Sequence, residues 1–203
     1  TPDEFMAFVR AAKDGPARIL PRMIRQLGVV RTIQIARAGA KQPKVSSFAL
    51  STFHTGAPIA WGDSAAKLAI VPQATSSSNV DGDNRLRDDL VARLRQGTIV
   101  YSVRAQRFVD DETTPIEDAS VRWPEDKAPF SEVATLTILK QDPTSPAGKD
   151  VDELVSSLSF DPWHAVEEHR PLGAVMRARA VAYRESVIAR RAADEPERVL
   201  PPG

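Results

Sequence analysis

The chain has 203 residues, 42% hydrophobic and 27% charged, a composition that suits one ordinary globular core and is short for two. Lysine plus arginine and aspartate plus glutamate each number 27, so the formal charge is zero and no whole-chain basic field exists to hold nucleic acid or an anionic lipid surface. Cysteine is absent, which excludes disulfides, thiolate catalysis and cysteine-type zinc sites, and leaves His54, His164 and His169 as the imidazoles. No stretch approaches about 18 consecutive apolar residues, so no membrane span is expected. No charged-then-apolar signal opens the sequence either; it begins at Thr1 in what reads as mid-fold, and a segment upstream is expected.

Pro2-Asp3-Glu4-Phe5 reads as a helix start with an acidic first turn, followed by Phe5, Phe8, Val9 and Ala12 at helical spacing up to Gly15-Pro16. A second amphipathic stretch sets Ile19, Met23, Ile24 and Leu27 against Arg18, Arg22 and Arg25 and ends at Gly28. Whether 29–38 continues as helix is left open by the pattern. From Ser46 the period becomes two, with Phe48, Leu50 and Thr52 alternating against Ser47, Ala49 and Ser51, so a strand meander is expected to begin there. Turns fall at Thr55-Gly56-Ala57-Pro58 and Gly62-Asp63-Ser64, a strand at 67–71 ends at Pro72, and the polar run 74–84 reads as a loop.

Asn84 is placed to cap a helix carrying Leu86, Leu90, Val91 and Leu94, stopped by Gly97. Strands are expected over 98–109 and 133–140, separated by the acidic turn Asp110-Asp111-Glu112 and a Trp123-Pro124 bend. A loop over 141–149, a short helix over 151–158, an irregular link at Asp161-Pro162-Trp163 and a long arginine-rich helix over 174–191 complete the pattern. The class is α+β, with antiparallel strands in the middle and helices around them. Residues 194–203, with three prolines, read as a flexible tail.

The terminal helix carries the chemistry. Arg179-Ala180-Val181-Ala182-Tyr183 sets an arginine and a tyrosine four residues apart, so both side chains leave one face about a turn apart and can touch. A guanidinium against a phenol favours the phenolate through opposite charge and a hydrogen bond. Ferric iron accepts such a ligand, and tyrosinate is the axial ligand of catalase haem. Taken alone, the pair is also a common packed contact on helices.

Its context is Phe160-Asp161-Pro162-Trp163-His164, then His169-Arg170-Pro171-Leu172-Gly173, leading into Met176-Arg177-Ala178-Arg179-Ala180-Val181-Ala182-Tyr183. This run resembles the small catalase-related haem peroxidases, a family that shares the arginine-x-x-x-tyrosine haem motif of larger catalases. Arg190 stands seven residues after the tyrosine, where larger catalases place an arginine near a haem propionate. Phe53 through Pro72, with Pro58-Ile59-Ala60-Trp61-Gly62-Asp63 and Ala66-Lys67, is similar to a catalase strand pair. The stretch 116–124 followed by 133–140 is similar to the last barrel hairpin.

The resemblance spans about residues 46–191. It departs from the family at Met176, often asparagine there, and at Arg184-Glu185-Ser186-Val187, which replace proline-aspartate-threonine-histidine. The distal histidine and asparagine and the first barrel strands have no counterpart.

The resemblance implies a single catalase-like domain over 1–193, part of an antiparallel β-barrel with flanking helices and a long C-terminal haem-anchoring helix. It implies haem b as cofactor, with Tyr183 as iron ligand, Arg179 keeping the phenolate charged and Arg190 near a propionate. Peroxide or an organic hydroperoxide would be the substrate, and a distal base would come from an upstream segment. A barrel lacking its N-terminal strands has open edges, for which that segment, a partner chain or a homo-oligomer is the expected closure. The alternative reading is a truncated, non-catalytic module for binding or assembly. Among the other candidates, His54 reads as an edge histidine, His164 and His169 lack carboxylates at metal-ligand spacing, and Trp163 reads as core before porphyrin contact. Arg179 is expected buried and the arginines at 170, 177, 184, 190 and 191 mostly exposed, while Asp110 to Glu112 read as an acidic turn.

Overall fold

The computed structural model describes residues 16–40, 45–75 and 82–190, apart from the side chains of 16–18, 38–40 and 189–190. The helix expected near Phe5, most of the 74–84 loop, Arg191, the tail and the side chain of Arg190 lie outside the described residues.

Two helices lead: α1, Pro16–Leu27, and α2, Val29–Ala40. They are separated by Gly28 at φ +78°, a left-handed conformation that glycine adopts without penalty. Its N–H closes α1 on the carbonyl of Ile24, and its own carbonyl accepts from Thr32 Oγ1 at 2.8 Å. The stretch left open by the sequence is therefore helical, with a turn at Gly28.

The sheet holds β1, Phe53–His54; β2, Ile59–Trp61; β3, Ser64–Pro72; β4, Ile99–Arg107; and β5, Phe130–Ile138. All pairings are antiparallel, in the order β1-β3-β4-β5, and β2 pairs with β3 on the same side as β1. A register shift between Val103 and Arg104 marks a bulge against β5. The sheet is open rather than closed into a barrel, because β5 pairs with β4 alone among the described residues. Between β3 and β4 lies α3, Arg85–Gln96; after β5 come α4, Pro146–Ser157, a 3₁₀ turn at Glu167–His169, and α5, Ala174–Arg190.

Two buried clusters hold the sheet. On one side Leu94 of α3 packs with Ala49, Ile99 and Tyr101, and Ile70, Leu90 and Ile138 surround them. Tyr101 donates its hydroxyl to Phe48 O at 3.1 Å, and burial pushes that phenol above its ordinary value. In the second cluster the 108–129 crossover folds back on β4. There Gln106 donates to the carbonyls of Trp123 (3.2 Å) and Ala128 (2.8 Å), and Trp123 is buried with its indole N–H on Pro115 O at 3.2 Å. Thr114, fully buried, accepts from Val109 N and donates to Asp110 O, so the acidic turn is organised around a hydroxyl.

The structure corrects three expectations. Residues 46–52 are not a strand: Ser47 Oγ is drawn onto buried Asp89 at 2.5 Å and Ser51 Oγ onto Ser47 O, so side-chain bonds turn the chain under α3. The helix expected at 151 begins at Pro146, because Ser145 caps it by accepting from Gly148 N at 3.1 Å and proline suits the first helical position. Trp163 is 37% exposed, so Trp123 is the core indole. Asn84 does stand at the N-cap of α3, yet its side chain makes no capping bond.

Candidate functional site

The segment before α5 is strapped to the outer side of β2. Ala60 N donates to Arg170 O, Gly62 N to Glu168 O and Leu172 N to Pro58 O, and Ile59 bridges Pro171. His169 lies against Trp61 with ring centroids 5.3 Å apart. Gly173 then turns the chain into α5 at φ +87°, with its Cα so close to the crossover that a Cβ would stand 2.5 Å from Ile116 O. Only glycine fits that turn without displacement.

α5 is rich in alanine and arginine, both strong helix formers. Its helical spacing brings the expected pair together: Arg179 Nη2 donates to Tyr183 Oη at 2.7 Å, with the guanidinium carbon 5.3 Å from the ring centroid. Both residues are half-buried. Nη1 of the same guanidinium faces Met176 Sδ at 3.9 Å. Arg177, one position round the helix, makes two bonds to Glu117, Nη2 to Oε2 at 2.7 Å and Nη1 to Oε1 at 3.1 Å, and this arginine holds the Glu117 carboxyl below its ordinary value. Arg170 pairs with Glu167 at 2.9 Å. Arg177 and Arg170 are thus tied to carboxylates, whereas Arg179 meets a phenol.

The remaining expectations fall elsewhere. Arg190 belongs to α5, two turns beyond Tyr183. His54 is exposed on β1, 6.2 Å from the Phe130 ring. It borders a cavity of about 380 Å³ with Lys67, Gln106 and Trp123, where Lys67 lies over the Trp123 ring at 4.5 Å and burial holds its ammonium below the ordinary value. Among the described residues no group of three or more histidine and carboxylate side chains is placed to hold a metal ion. No described helix is long and apolar enough to cross a membrane. Sequence reasoning missed Glu117, which meets Arg177 across sixty residues and has no local signal, and Gly173, whose signal was a glycine immediately before a helix.

No family model and no curated protein matches the chain. Solved structures do. The chain is similar to a bacterial catalase, with a TM-score of 0.61 and 15% identity over 95% of this chain and 42% of that one. The fold is catalase-like. A fungal catalase and catalase A from Saccharomyces cerevisiae each give a TM-score of 0.55 at 16% identity, over 72% of this chain and 31% and 32% of theirs. The catalase-like portion therefore spans less than half the length of these catalases, and at such identity the likeness is one of fold.

Proposed function

We propose that the chain is the haem-anchoring portion of a haem-dependent oxidoreductase of the small catalase-related type, acting on hydrogen peroxide or organic hydroperoxides. The observation that supports this most is the 2.7 Å bond from Arg179 to the Tyr183 phenol, on a catalase-like fold. The donor set fits the group. The phenol oxygen is fixed in place by a guanidinium donor, and tyrosinate oxygen is a known axial ligand for haem iron. Tyr183 would hold haem b through iron, Arg179 would keep the ligand charged, and Arg190 would face a propionate. Haem, when bound, supplies the redox chemistry that cleaves the peroxide O–O bond.

Within this chain the residues bind and orient. The strap on β2 and the Gly173 turn set where α5 leaves the sheet, and the helix sets the distance between Arg179 and Tyr183. The proton carrier for O–O cleavage is assigned to a segment outside this chain, since His54 lies on the exposed β1 edge.

The experiment is an absorption spectrum of the purified protein before and after hemin addition, beside Tyr183→Phe. A Soret band with high-spin ferric, tyrosinate-type features that the variant loses is the expected result. A variant with unchanged axial ligation would remove Tyr183 from its role. A second reading, a non-catalytic binding or assembly module, draws on the outer edge of β5, unpaired among the described residues, and a protein that binds no hemin at all would favour it.

A further inference from the structure

Met176 stands one turn before Arg179 on α5 and is 7% exposed. Its thioether and the Tyr183 phenol share one guanidinium, Nη1 at 3.9 Å from Sδ and Nη2 at 2.7 Å from Oη. Met176 and Arg179 also line a cavity of about 180 Å³ together with Pro58, Ile59, His169 and Pro171, so a small oxidant has room beside this residue. A thioether is a weak acceptor, and in this state it competes little with the phenol for Arg179. A sulfoxide is polar and a strong acceptor.

We infer that Met176 is an oxidation site for hydroperoxides, and that its sulfoxide oxygen draws on the Arg179 guanidinium and weakens its bond to Tyr183. The sulfur lone pair attacks the hydroxyl oxygen of the hydroperoxide and forms the S–O bond while the O–O bond breaks. The departing oxygen takes up the proton and leaves as water or an alcohol. Sulfur loses two electrons and the peroxide gains them, so no further reactant is needed. An oxygen added to Sδ on the Nη1 side lies within ordinary hydrogen-bond reach of that nitrogen. The guanidinium is a rigid plane, so drawing Nη1 onto the stronger acceptor shifts Nη2 with it and weakens the bond to the phenol oxygen. The inference goes beyond the haem reading and does not depend on it, since only Met176, Arg179, Tyr183 and a hydroperoxide take part.

The test uses the purified protein without haem. Sulfoxide formation at Met176 and at Met23, which is 4% exposed, is followed by peptide mass spectrometry during hydrogen peroxide treatment. In parallel, the Tyr183 Fermi doublet is read by ultraviolet resonance Raman as the difference between the protein and its Tyr183→Phe variant. Tyr101 and Tyr183 are the chain's two tyrosines, and Tyr101 donates its hydroxyl whereas Tyr183 accepts, so they sit at opposite ends of the doublet ratio.

Met176 is expected to convert several-fold faster than Met23, with the Tyr183 ratio falling in step. Met176→Leu, which conserves volume, keeps the ratio high in peroxide. Met176→Gln, whose amide oxygen stands in for the sulfoxide, lowers it without peroxide. Faster conversion of Met23, or an unchanged ratio in protein fully oxidised at Met176, overturns the inference. Peroxide-treated protein decides the matter even where Met176→Gln fails to fold, and every readout stands whether or not hemin binds.

Discussion

Gly173→Ala isolates the turn that aims the candidate site. Two costs add at this position. The left-handed backbone at φ +87° costs an L-residue with a Cβ about 1–2 kcal/mol. The new Cβ would also stand 2.5 Å from Ile116 O, a backbone atom of the crossover that cannot swing aside as a side-chain tip can, which adds about 1–3 kcal/mol of overpacking. The sum is about 2–5 kcal/mol. Gly28→Ala is the internal control, because Gly28 has φ +78° with no atom within 4 Å of its would-be Cβ, so it carries the backbone cost alone. Urea unfolding of both variants, followed by circular dichroism, gives the two losses on one scale. Gly173→Ala should lose the more stability, and hemin titration should show weakened binding in Gly173→Ala and not in Gly28→Ala. Equal losses in the two variants would refute the close approach of Gly173 to Ile116, and with it the account of how α5 is aimed.

Two further outcomes follow from the ion pairs. Asp89, 3% exposed, accepts from Ser47 Oγ and from Arg93 Nε at 3.0 Å, so Asp89→Ala leaves a guanidinium and a hydroxyl without this partner. Losing one member of a buried pair costs about 3–5 kcal/mol; the Arg93 side chain is 20% exposed and can turn partly to water, which reduces the expected loss to about 2–3 kcal/mol in urea unfolding. A loss below about 1 kcal/mol would mean that the 45–51 loop is held by other contacts. Asp142 is drawn down to about 2 from an ordinary 3.8 by the Arg95 and Thr144 hydrogen bonds. A depressed carboxylate contributes stability above its unfolded value and loses it as pH falls, so Asp142→Asn should flatten the decline of the urea midpoint between about pH 4 and pH 2. An unaltered slope in that window would show that the pair does not persist in solution.

Legibility followed the range of the interaction. The Arg179–Tyr183 pair was readable because a helix alone fixes residues four apart, and nothing distant has to be known. β3 and β4 were readable to within a few residues because their apolar content and turn residues are local. The start of α4 was also local, in the cap Ser145 followed by Pro146 at the first helical position, inside the stretch expected to be a loop. The strand expected over 46–52 failed for a different reason: Ser47 answers to Asp89, forty-two residues on, and that bond overrides the alternation of its neighbours. Trp123 and Trp163 both stand beside a proline, and no local pattern separates them. Pro115 O and the flanking Phe108 ring make Trp123 the buried one.

The same distinction explains how the site is built. The distance between Arg179 and Tyr183 belongs to α5 alone, whereas the position of the pair belongs to contacts distant in sequence: the backbone bonds from Ala60, Gly62 and Leu172, the Gly173–Ile116 approach and the Arg177–Glu117 tie. All of these lie at or before the first turn of α5, and among the described residues the rest of the helix makes no extended packing with another element. Tyr183 therefore projects from a helix fixed at one end. Val181 and Ile188, 61% and 60% exposed, stand seven residues apart on the side of α5 turned away from Tyr183. They line no surface shared with the phenol, so the reading of α5 as a ligand-bearing helix stands on the Arg179–Tyr183 bond itself.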